Sequence, residues 1–282
     1  MSELPNADQR AFWSEEAGHK WVAQQSVMDA LLAPVLEGLL DRAQLSSGDH
    51  VLDIGCGAGT STMRAATLVR PAGSVTGVDI SDTLLALADQ RAEGKYGLTY
   101  LHADAATYDF EARSFDHVVS RFGVMFFDDP TLAFSNIFSA LSSGAHVNLA
   151  TWGAIDENPY FKLAAKAARS VLGPMPKSDP DAPGPFSMRD PERVIPTLRD
   201  SGMKEVQADR QHLLLTPSGT LEDFADICTV IGPAEAAMRH FEATEEQRTQ
   251  VHESLVETFA PFVSDTGAVE IPAEIIFYSA RA

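Results

Sequence analysis

Cysteine is scarce in this sequence and long apolar runs are missing. The 282 residues include two cysteines, Cys56 and Cys228, which are too few and too far apart to form a disulfide framework. No apolar stretch approaches the roughly 20 residues that a membrane-spanning helix requires. The N-terminus also lacks the basic and apolar regions of a secretory signal. These features predict a cytoplasmic protein that does not insert into a membrane.

Basic residues are also few. Lysine and arginine total 21, against 40 aspartates and glutamates, so the formal net charge is −19. Nucleic-acid binding depends on basic side chains that neutralise phosphates, and no basic run of five or more residues occurs here. We therefore expect no nucleic-acid partner. The 45% of hydrophobic residues is enough for a full globular core.

The N-terminal part of the chain is expected to be helical. Apolar side chains recur at helix-like spacing from residue 8 to residue 45, and Pro34 should mark a kink or a boundary in that run. A turn is predicted at 46–49, where two serines, a glycine and an aspartate follow one another.

Short strands then alternate with helices. Strands are predicted at 50–54, 74–78, 98–101, 115–120 and 145–151, and helices at 60–69, 81–91 and 130–141, the last one closed by Gly144. This order is typical of a parallel, doubly wound α/β sheet with helices on both faces. Ligands bind such sheets in the crevice at the carboxyl ends of the strands. Functional residues are therefore expected just after each strand.

The pattern beyond residue 153 is weaker. Helices are predicted at 158–172 and 191–201, a proline-rich loop at 173–185, strands at 204–215 and 271–280, and mostly helix at 221–262. We expect three parts: an N-terminal helical lid at 1–48, a ligand-binding core at 49–153, and residues 154–282, which complete the sheet and one wall of the site.

A glycine-rich turn follows the first predicted strand, in the segment VLDIGCGAGT at 51–60. Glycines allow a tight turn and a close backbone approach to a ligand. The spacing is not that of a dinucleotide fingerprint, because position 60 is threonine, and the Gly-Lys-Ser/Thr of a P-loop is missing. Asp53 before the turn would repel a pyrophosphate but can accept hydrogen bonds from an ammonium group.

Acidic residues follow the next two strands. Asp79 comes 20 residues after Gly59, a spacing that suits a carboxylate accepting from two ribose hydroxyls. Asp104 follows the third strand, where it could face an adenine amino group. Together with the turn, these acids predict a site for a nucleoside that carries an amino-acid tail.

Four segments carry a resemblance to a known family: VLDIGCGAGTST (51–62), GVDIS (77–81), HADA (102–105) and FDHVVSRFGVMFFDDP (115–130). They resemble the class I S-adenosylmethionine-dependent methyltransferases, most closely the small-molecule branch that includes ubiquinone and menaquinone C-methyltransferases. The resemblance covers at least residues 49–151. It implies a Rossmann-like sheet of seven strands with the last one antiparallel, S-adenosylmethionine as cofactor, and S-adenosylhomocysteine as product.

The resemblance also implies a role for individual residues. Asp53, Gly55 and Gly57 would hold the methionine part of the cofactor, Asp79 the ribose and Asp104 the adenine. The other residues assigned to the cofactor are Ile80 and Ala105, on either side of the adenine ring, together with Cys56 and Ser120. The last two strands usually form a short hairpin in the family, whereas here about 50 residues separate them.

The methyl acceptor should lie beside the cofactor. Transfer from a sulfonium needs alignment and exclusion of water more than it needs a general base. His19 is the first candidate for a base, with a solvated histidine as the alternative. Arg121 is placed to anchor an acceptor carboxylate or enolate, or else to form a structural ion pair. Candidate acceptor-binding residues are Phe12, Trp13, Trp21, Phe122 and Trp152, for which core packing or a docking surface is the alternative.

These features predict methyl transfer to a small apolar or aromatic molecule, at carbon or oxygen. No H-E-x-x-H motif or similar ligand set is present, so no metal is expected. The alternatives are an N-methyltransferase or protein methyltransferase, a module that binds the cofactor without turnover, and a nicotinamide-dependent oxidoreductase on a related fold.

Overall fold

The computed structural model describes residues 5–94, 97–177 and 179–282. Its helices are α1 (Ala7–Ser14), α2 (Glu16–Ala23), α3 (Gln25–Leu31), α4 (Ala33–Ala43), α5 (Thr60–Val69), α6 (Asp82–Ala92), α7 (Pro130–Ser139), α8 (Pro159–Leu172), α9 (Pro191–Asp200), α10 (Leu221–Val230), α11 (Pro233–His240) and α12 (Glu245–Phe259). Its strands are β1 (His50–Ile54), β2 (Ser74–Asp79), β3 (Leu98–His102), β4 (Phe115–Arg121), β5 (Leu141–Trp152), β6 (Lys204–Leu215) and β7 (Ile271–Arg281). Residues 1–4 of the predicted lid and residue 178 of the predicted loop lie outside the described residues.

The strands form one mixed sheet in the order β3-β2-β1-β4-β5-β7-β6. The first five strands are parallel to one another, whereas β7 runs antiparallel to both β5 and β6. The strand order reverses direction at β1 and β4, which is where doubly wound sheets open a ligand crevice. The predicted doubly wound, Rossmann-like methyltransferase fold is confirmed.

Local sequence signals explain where the core helices start. The hydroxyl oxygen of Ser81 accepts from the backbone N–H of Leu84, so that Ser81 caps α6. Asp129 caps α7 in the same way, and Pro130 occupies the first turn, where its missing N–H costs nothing. Both starts agree with the prediction.

The N-terminal helical run is interrupted at more places than the one that was predicted at Pro34. Four separate helices occupy it, with interruptions at Glu15, Gln24 and Leu32. Pro34 lies in the first turn of α4, which is a favourable position for proline, and therefore begins a helix instead of kinking one.

The prediction that Gly144 ends a helix is wrong. The structure ends α7 at Ser139 and starts β5 at Leu141, which pairs with Phe115. Gly144 lies within β5, with a φ of 81°, and its N–H donates to the carbonyl of Ala282. Strand pairing at both neighbours of β5 outweighs the helical spacing of this short segment.

The last two strands pair directly although a long segment separates them in the chain. Leu215, the last residue of β6, is opposite Ile271, the first residue of β7. Between them lie α10, α11 and α12, and capping boxes at Thr220 and Thr244 fix the starts of α10 and α12. We call residues 216–270 the helical insertion. None of the described helices has the length and apolar character required to cross a membrane.

The helices of the insertion enclose an apolar centre that is continuous with the main core through α8. Phe224 on α10 and Phe259 on α12 are both fully buried, and their ring centroids are 5.0 Å apart in an edge-to-face arrangement. Val251 and Leu255 on α12 are likewise buried completely. Burial of these side chains, more than helix propensity, stabilises the insertion.

We expect Phe224→Ala to lower the free energy of unfolding by about 3–5 kcal/mol, because it leaves a cavity in this apolar centre. Phe241→Ala is the matched control, since the Phe241 ring is 37% exposed and its removal leaves no cavity. Urea denaturation followed by circular dichroism measures both values. Equal losses from the two variants would contradict this description of the core.

Candidate active site

A cavity of about 830 Å³ opens at the carboxyl edge of the parallel strands. The turns after β1, β2, β3 and β4 form its floor, and the N-terminal helices and α11 cover it. Its predicted lining residues are Phe12, Trp13, Trp21, Gly55, Cys56, Gly57, Asp79, Ile80, Asp104, Ala105, Arg121, Phe122 and Trp152. The structure does not bring Asp53, Ser120 or His19 to the cavity surface.

The glycine turn packs backbone against backbone. Gly55 has a φ of 65°, and a Cβ added to it would lie 2.4 Å from the Cα of Gly123, which follows β4. A Cβ on Gly123 would in turn lie 2.5 Å from the carbonyl oxygen of Ile54. No side chain fits at either position, so both glycines are required for the loops to meet.

Gly57 serves the cavity in a different way. It has a φ of 54°, and a Cβ added there would meet no atom within 4 Å. The backbone at this point therefore borders open space within the site, as expected where a ligand approaches the main chain closely. Its N–H donates to Oδ2 of Asp79 at 2.7 Å, which connects the turns after β1 and β2.

Asp53 lies beneath the glycine turn and is completely buried. Its Oδ2 accepts from the hydroxyls of Ser61, at 2.6 Å, and Thr62, at 2.7 Å. Oδ1 has no partner among the described residues. Burial raises the pKa of Asp53 to about 6, although the two hydroxyls and the charge of Arg121 oppose the shift.

Asp79 is at the end of β2 and faces the cavity. Its two oxygens accept from the backbone N–H groups of Gly57, at 2.7 Å, and Ser81, at 2.9 Å. Burial raises the pKa of this carboxyl, while the same N–H groups favour the ionised form. The carboxylate is thus held in one orientation with lone pairs left for a ligand.

Asp104 also faces the cavity, and it has a partner that the sequence did not indicate. The side-chain N–H₂ of Asn6 donates to both carboxylate oxygens, at 3.0 Å and 2.9 Å. In the sequence, Asn6 is only a residue of the type that caps helices, placed before a helical run. That position gives no indication of a contact with Asp104, 98 positions away. Asn6 is therefore a site residue that sequence reasoning missed.

Cys56 and Ser120 occupy the two sides of the β1 turn. Burial raises the pKa of the Cys56 thiol well above its ordinary value, and nearby Asp79 and Asp53 add to the shift. A nucleophile would need the opposite shift, so the structure disfavours that role for Cys56. Ser120 is completely buried, and its hydroxyl donates to the carbonyl of Ile54 at 2.7 Å, away from the cavity surface.

Arg121 lines the cavity and also forms the ion pair that was the alternative interpretation. Its Nη2 lies 3.3 Å from Oδ1 of Asp29, whose Oδ2 lies 3.2 Å from Nη2 of Arg91. Thr60 donates to the same carboxylate at 2.5 Å. Two guanidinium groups thus share the carboxylate of Asp29. Asp29, on α3, was not predicted.

The N-terminal helices place aromatic side chains over the cavity. Trp13 contacts Phe12, Trp21 and Phe126 edge to face, with centroids 5.2, 5.9 and 5.3 Å away. His19, in contrast, is exposed. On α2 the cavity-facing residues include Lys20 and Trp21, and the helical period turns His19 to the opposite side. The predicted base therefore does not reach the site in this structure.

A second aromatic group also lines the cavity. Phe122 stacks on Trp152 with centroids 4.5 Å apart and planes 8° from parallel. Phe122 has a left-handed backbone (φ 69°), which is uncommon for a bulky residue and turns its ring onto Trp152. Phe161 and Phe186 extend this wall edge to face, and their place in the weakly patterned C-terminal part explains why the sequence did not indicate them.

Charged residues join the two covers of the cavity. Nζ of Lys20 on α2 lies 2.5 Å from Glu235 on α11 and 2.5 Å from Glu16. Arg239 adds a contact to Glu235 at 3.4 Å. Within the described residues, no group of three His, Cys, Asp or Glu side chains is arranged to hold a metal ion.

The core of the chain matches a known family of domains. A family model described as a methyltransferase domain matches residues 51–144, from β1 into β5. Aklanonic acid methyltransferase DauC of Streptomyces sp. (strain C5) is 34% identical over 116 residues, 40% of this chain and 53% of that protein. Demethylmenaquinone methyltransferase of Staphylococcus aureus is 32% identical over 100 residues, 36% of this chain and 42% of that protein. The chain spans about half the length of the curated relatives it matches.

A solved structure shares the fold over the whole chain. Phosphoethanolamine N-methyltransferase 2 of Haemonchus contortus, in complex with S-adenosyl-L-methionine, has a TM-score of 0.61 at 18% identity. The match covers 99% of this chain and 60% of that chain. At this level of identity the likeness shows the fold alone.

The buried carboxyl of Asp53 generates a pH-dependent prediction. Its folded pKa of about 6 lies above the ordinary 3.8, so the native state loses stability as pH rises through 6 and this carboxyl ionises. Asp53→Asn removes the buried charge and keeps an acceptor for the two hydroxyls. We expect the variant to be more stable than the native chain by about 2 kcal/mol above pH 7, with the gain disappearing towards pH 4.

Unfolding midpoints measured between pH 4.5 and pH 8 test this expectation. Asp89→Asn, at an exposed carboxyl on α6, is the matched control and should change stability little at any pH. A gain from Asp53→Asn that did not vary with pH would contradict the assigned cause.

Proposed function

We propose that this chain, which belongs to the class I S-adenosylmethionine-dependent methyltransferases, transfers a methyl group to a small, largely apolar or aromatic molecule. The observation that carries the proposal is that one cavity joins two chemically different halves. The polar half contains the glycine turn and two carboxylates, and the other half is bounded by aromatic rings. The two halves suit a cofactor and an acceptor side by side.

The polar half fits S-adenosylmethionine. Open space beside Gly57 leaves room for the methionine part along the backbone, and Cys56 lies in the same turn. Asp79 offers a fixed carboxylate to the ribose hydroxyls, and Asp104 offers one to the adenine amino group. Flanking positions for the adenine ring are Ile80 and Ala105.

Two of the predicted cofactor residues act from beneath the turn. Asp53 holds Ser61 and Thr62 at the start of α5, and Ser120 holds the end of β1. We propose that both position the backbone around the methionine part. Neither needs to touch the cofactor for this role.

The aromatic half suits a flat or apolar acceptor. The stacked pair Phe122 and Trp152 lines the same cavity as Trp13, and these ring faces suit contact with a flat ring system. Arg121 lines the cavity, and its Nη1 has no hydrogen-bond partner among the described residues. We propose that Arg121 orients an acceptor oxygen, which favours methylation at oxygen or at an adjacent carbon.

The covers over the cavity favour a small acceptor over a protein. The contact between Lys20 and Glu235 spans the space between α2 and α11, where a polypeptide segment would have to pass. The curated relatives are named for aklanonic acid and demethylmenaquinone, which are small molecules. The net charge of −19 also disfavours a nucleic-acid acceptor.

The residues of the chain contribute alignment and a dry site. When bound, the cofactor supplies a methyl group on a sulfonium sulfur, which is a good leaving group. The backbone turn fixes one reactant and the aromatic walls fix the other, which converts an encounter in solution into a reaction between neighbours. The rings of Trp13 and Phe126 exclude water from the point of transfer.

A transfer assay tests the proposed function. The protein is incubated with methyl-labelled S-adenosylmethionine and a fractionated cell extract, and we expect label in low-mass, organic-soluble material. Gly57→Val, which fills the open space beside the turn, is the inactive control. Label on protein or nucleic acid would refute the small-molecule acceptor. Tight binding of S-adenosylhomocysteine with no labelled product from any fraction would favour a binding module.

We expect Asp79→Asn to weaken binding of S-adenosylhomocysteine by about tenfold or more, because the ribose hydroxyls lose a charged acceptor. Isothermal titration calorimetry measures the change. Asp82→Asn, an exposed acid in the first turn of α6, is the matched control and should leave the affinity unchanged. Equal affinities for the Asp79 variant and the native chain would contradict the proposed ribose site.

A further inference from the structure

Asn6 connects two carboxylates that belong to different loops. Its side-chain N–H₂ donates to Asp104, and its side-chain oxygen accepts from the backbone N–H of Asp128 at 2.7 Å. Its own backbone N–H donates to Oδ2 of Asp128 at 2.6 Å. Asn6 is only 3% exposed and also lines the cavity. Its φ of 54° is in the left-handed region, which asparagine tolerates better than most residues.

The Asp104 carboxylate is almost completely occupied by these contacts. A carboxylate has about four lone-pair positions. Asn6 uses one on each oxygen, and the backbone N–H of Ala106 uses another on Oδ1, at 2.9 Å. One position remains, on Oδ2. Because both oxygens are held by the same amide, the carboxylate cannot rotate to offer another position.

We propose that Asn6 is a positioning residue that makes the site selective for adenine. It fixes the Asp104 carboxylate so that the single remaining acceptor position faces the amino group of the base. This inference rests on the proposed function, which places adenine beside Asp104. A base with a carbonyl oxygen in place of the amino group presents lone pairs to the same carboxylate and is rejected.

The arrangement also couples base recognition to the lid. Asn6 immediately precedes α1, and the end of α1 is tied to the β2 side of the site. The hydroxyl of Ser81 donates to the carbonyl of Trp13 at 2.7 Å, and that of Thr83 donates to the carbonyl of Ser14 at 2.7 Å. Asp128 anchors the other end through Asn6. The residue that orients the base-reading carboxylate is thus part of the cover.

Two ligands and two variants test the inference by calorimetry. The ligands are S-adenosylhomocysteine and S-inosylhomocysteine, which differ in the amino group of the base. Asn6→Gly removes the carboxamide and keeps the left-handed backbone that Asn6 adopts. Asp128→Ala releases the anchor of α1 and leaves the contact between Asn6 and Asp104 in place. Hydrogen exchange of α1 and the unfolding midpoint report lid mobility and folding for each variant.

We expect the native chain to prefer the adenine ligand by about tenfold or more. In Asn6→Gly, affinity for S-adenosylhomocysteine should fall about fivefold or more, while affinity for S-inosylhomocysteine stays within about twofold. The preference for S-adenosylhomocysteine over S-inosylhomocysteine is therefore smaller in Asn6→Gly than in the native chain. Asp128→Ala should speed hydrogen exchange in α1 to a degree similar to Asn6→Gly. It should nevertheless retain most of the preference for S-adenosylhomocysteine over S-inosylhomocysteine.

Three results would overturn the inference. If Asn6→Gly weakened the binding of both ligands equally, Asn6 would only attach the lid and would not contribute to selectivity. Equal loss of selectivity in Asp128→Ala would lead to the same conclusion. Tighter binding of S-adenosylhomocysteine by Asn6→Gly would show that Asn6 competes with adenine. If the native chain bound neither ligand, the proposed cofactor site itself would fail, which is a distinct outcome.

Discussion

The site depends on one close approach between two loops, in which Gly55 and Gly123 meet backbone to backbone. Any side chain at either position would push the turn after β1 away from the end of β4. Phe122, which directly precedes Gly123, has a left-handed backbone conformation, and its ring stacks on Trp152. The contact between Gly55 and Gly123 thus lies between the glycine turn after β1 and the aromatic wall of the cavity.

The two halves of the cavity follow from the order of strands in the sheet. The loops after β1, β2 and β3 carry the polar groups, and the loops after β4 and β5 carry aromatic rings. Each carboxylate in the polar half has its orientation set by backbone or amide N–H groups. Asp79 is held by two main-chain donors, and Asp104 is held by the side chain of Asn6 and the backbone N–H of Ala106. Fixed acceptors of this kind lose little entropy when a ligand binds.

The parallel core could be predicted closely from the sequence, because its strands are short, apolar and separated by clear turns. The bounds of β1 and α5 agree to the residue, and the acids after β2 and β3 do face the cavity. Contacts between segments that are far apart in the chain could not be predicted from these local patterns. Asn6 reaches Asp104 across 98 positions, and the exposed side of α2 takes His19 away from the site, since short interrupted helices leave the facing side undetermined. The same limit hid Asp29, Phe161 on α8 and Phe186 after it.

The pairing of Leu215 with Ile271 brings both ends of the helical insertion to neighbouring points on one edge of the sheet. A segment with adjacent ends can be exchanged without altering the register of any strand, provided that the replacement packs on α8 as this segment does. Residues 216–270 can therefore be replaced, in evolution or by design, while the parallel strands and the turns that follow them keep their structure. Because residues of α11 line the cavity, such an exchange would change the shape of the cavity at that wall while the glycine turn after β1 keeps its structure.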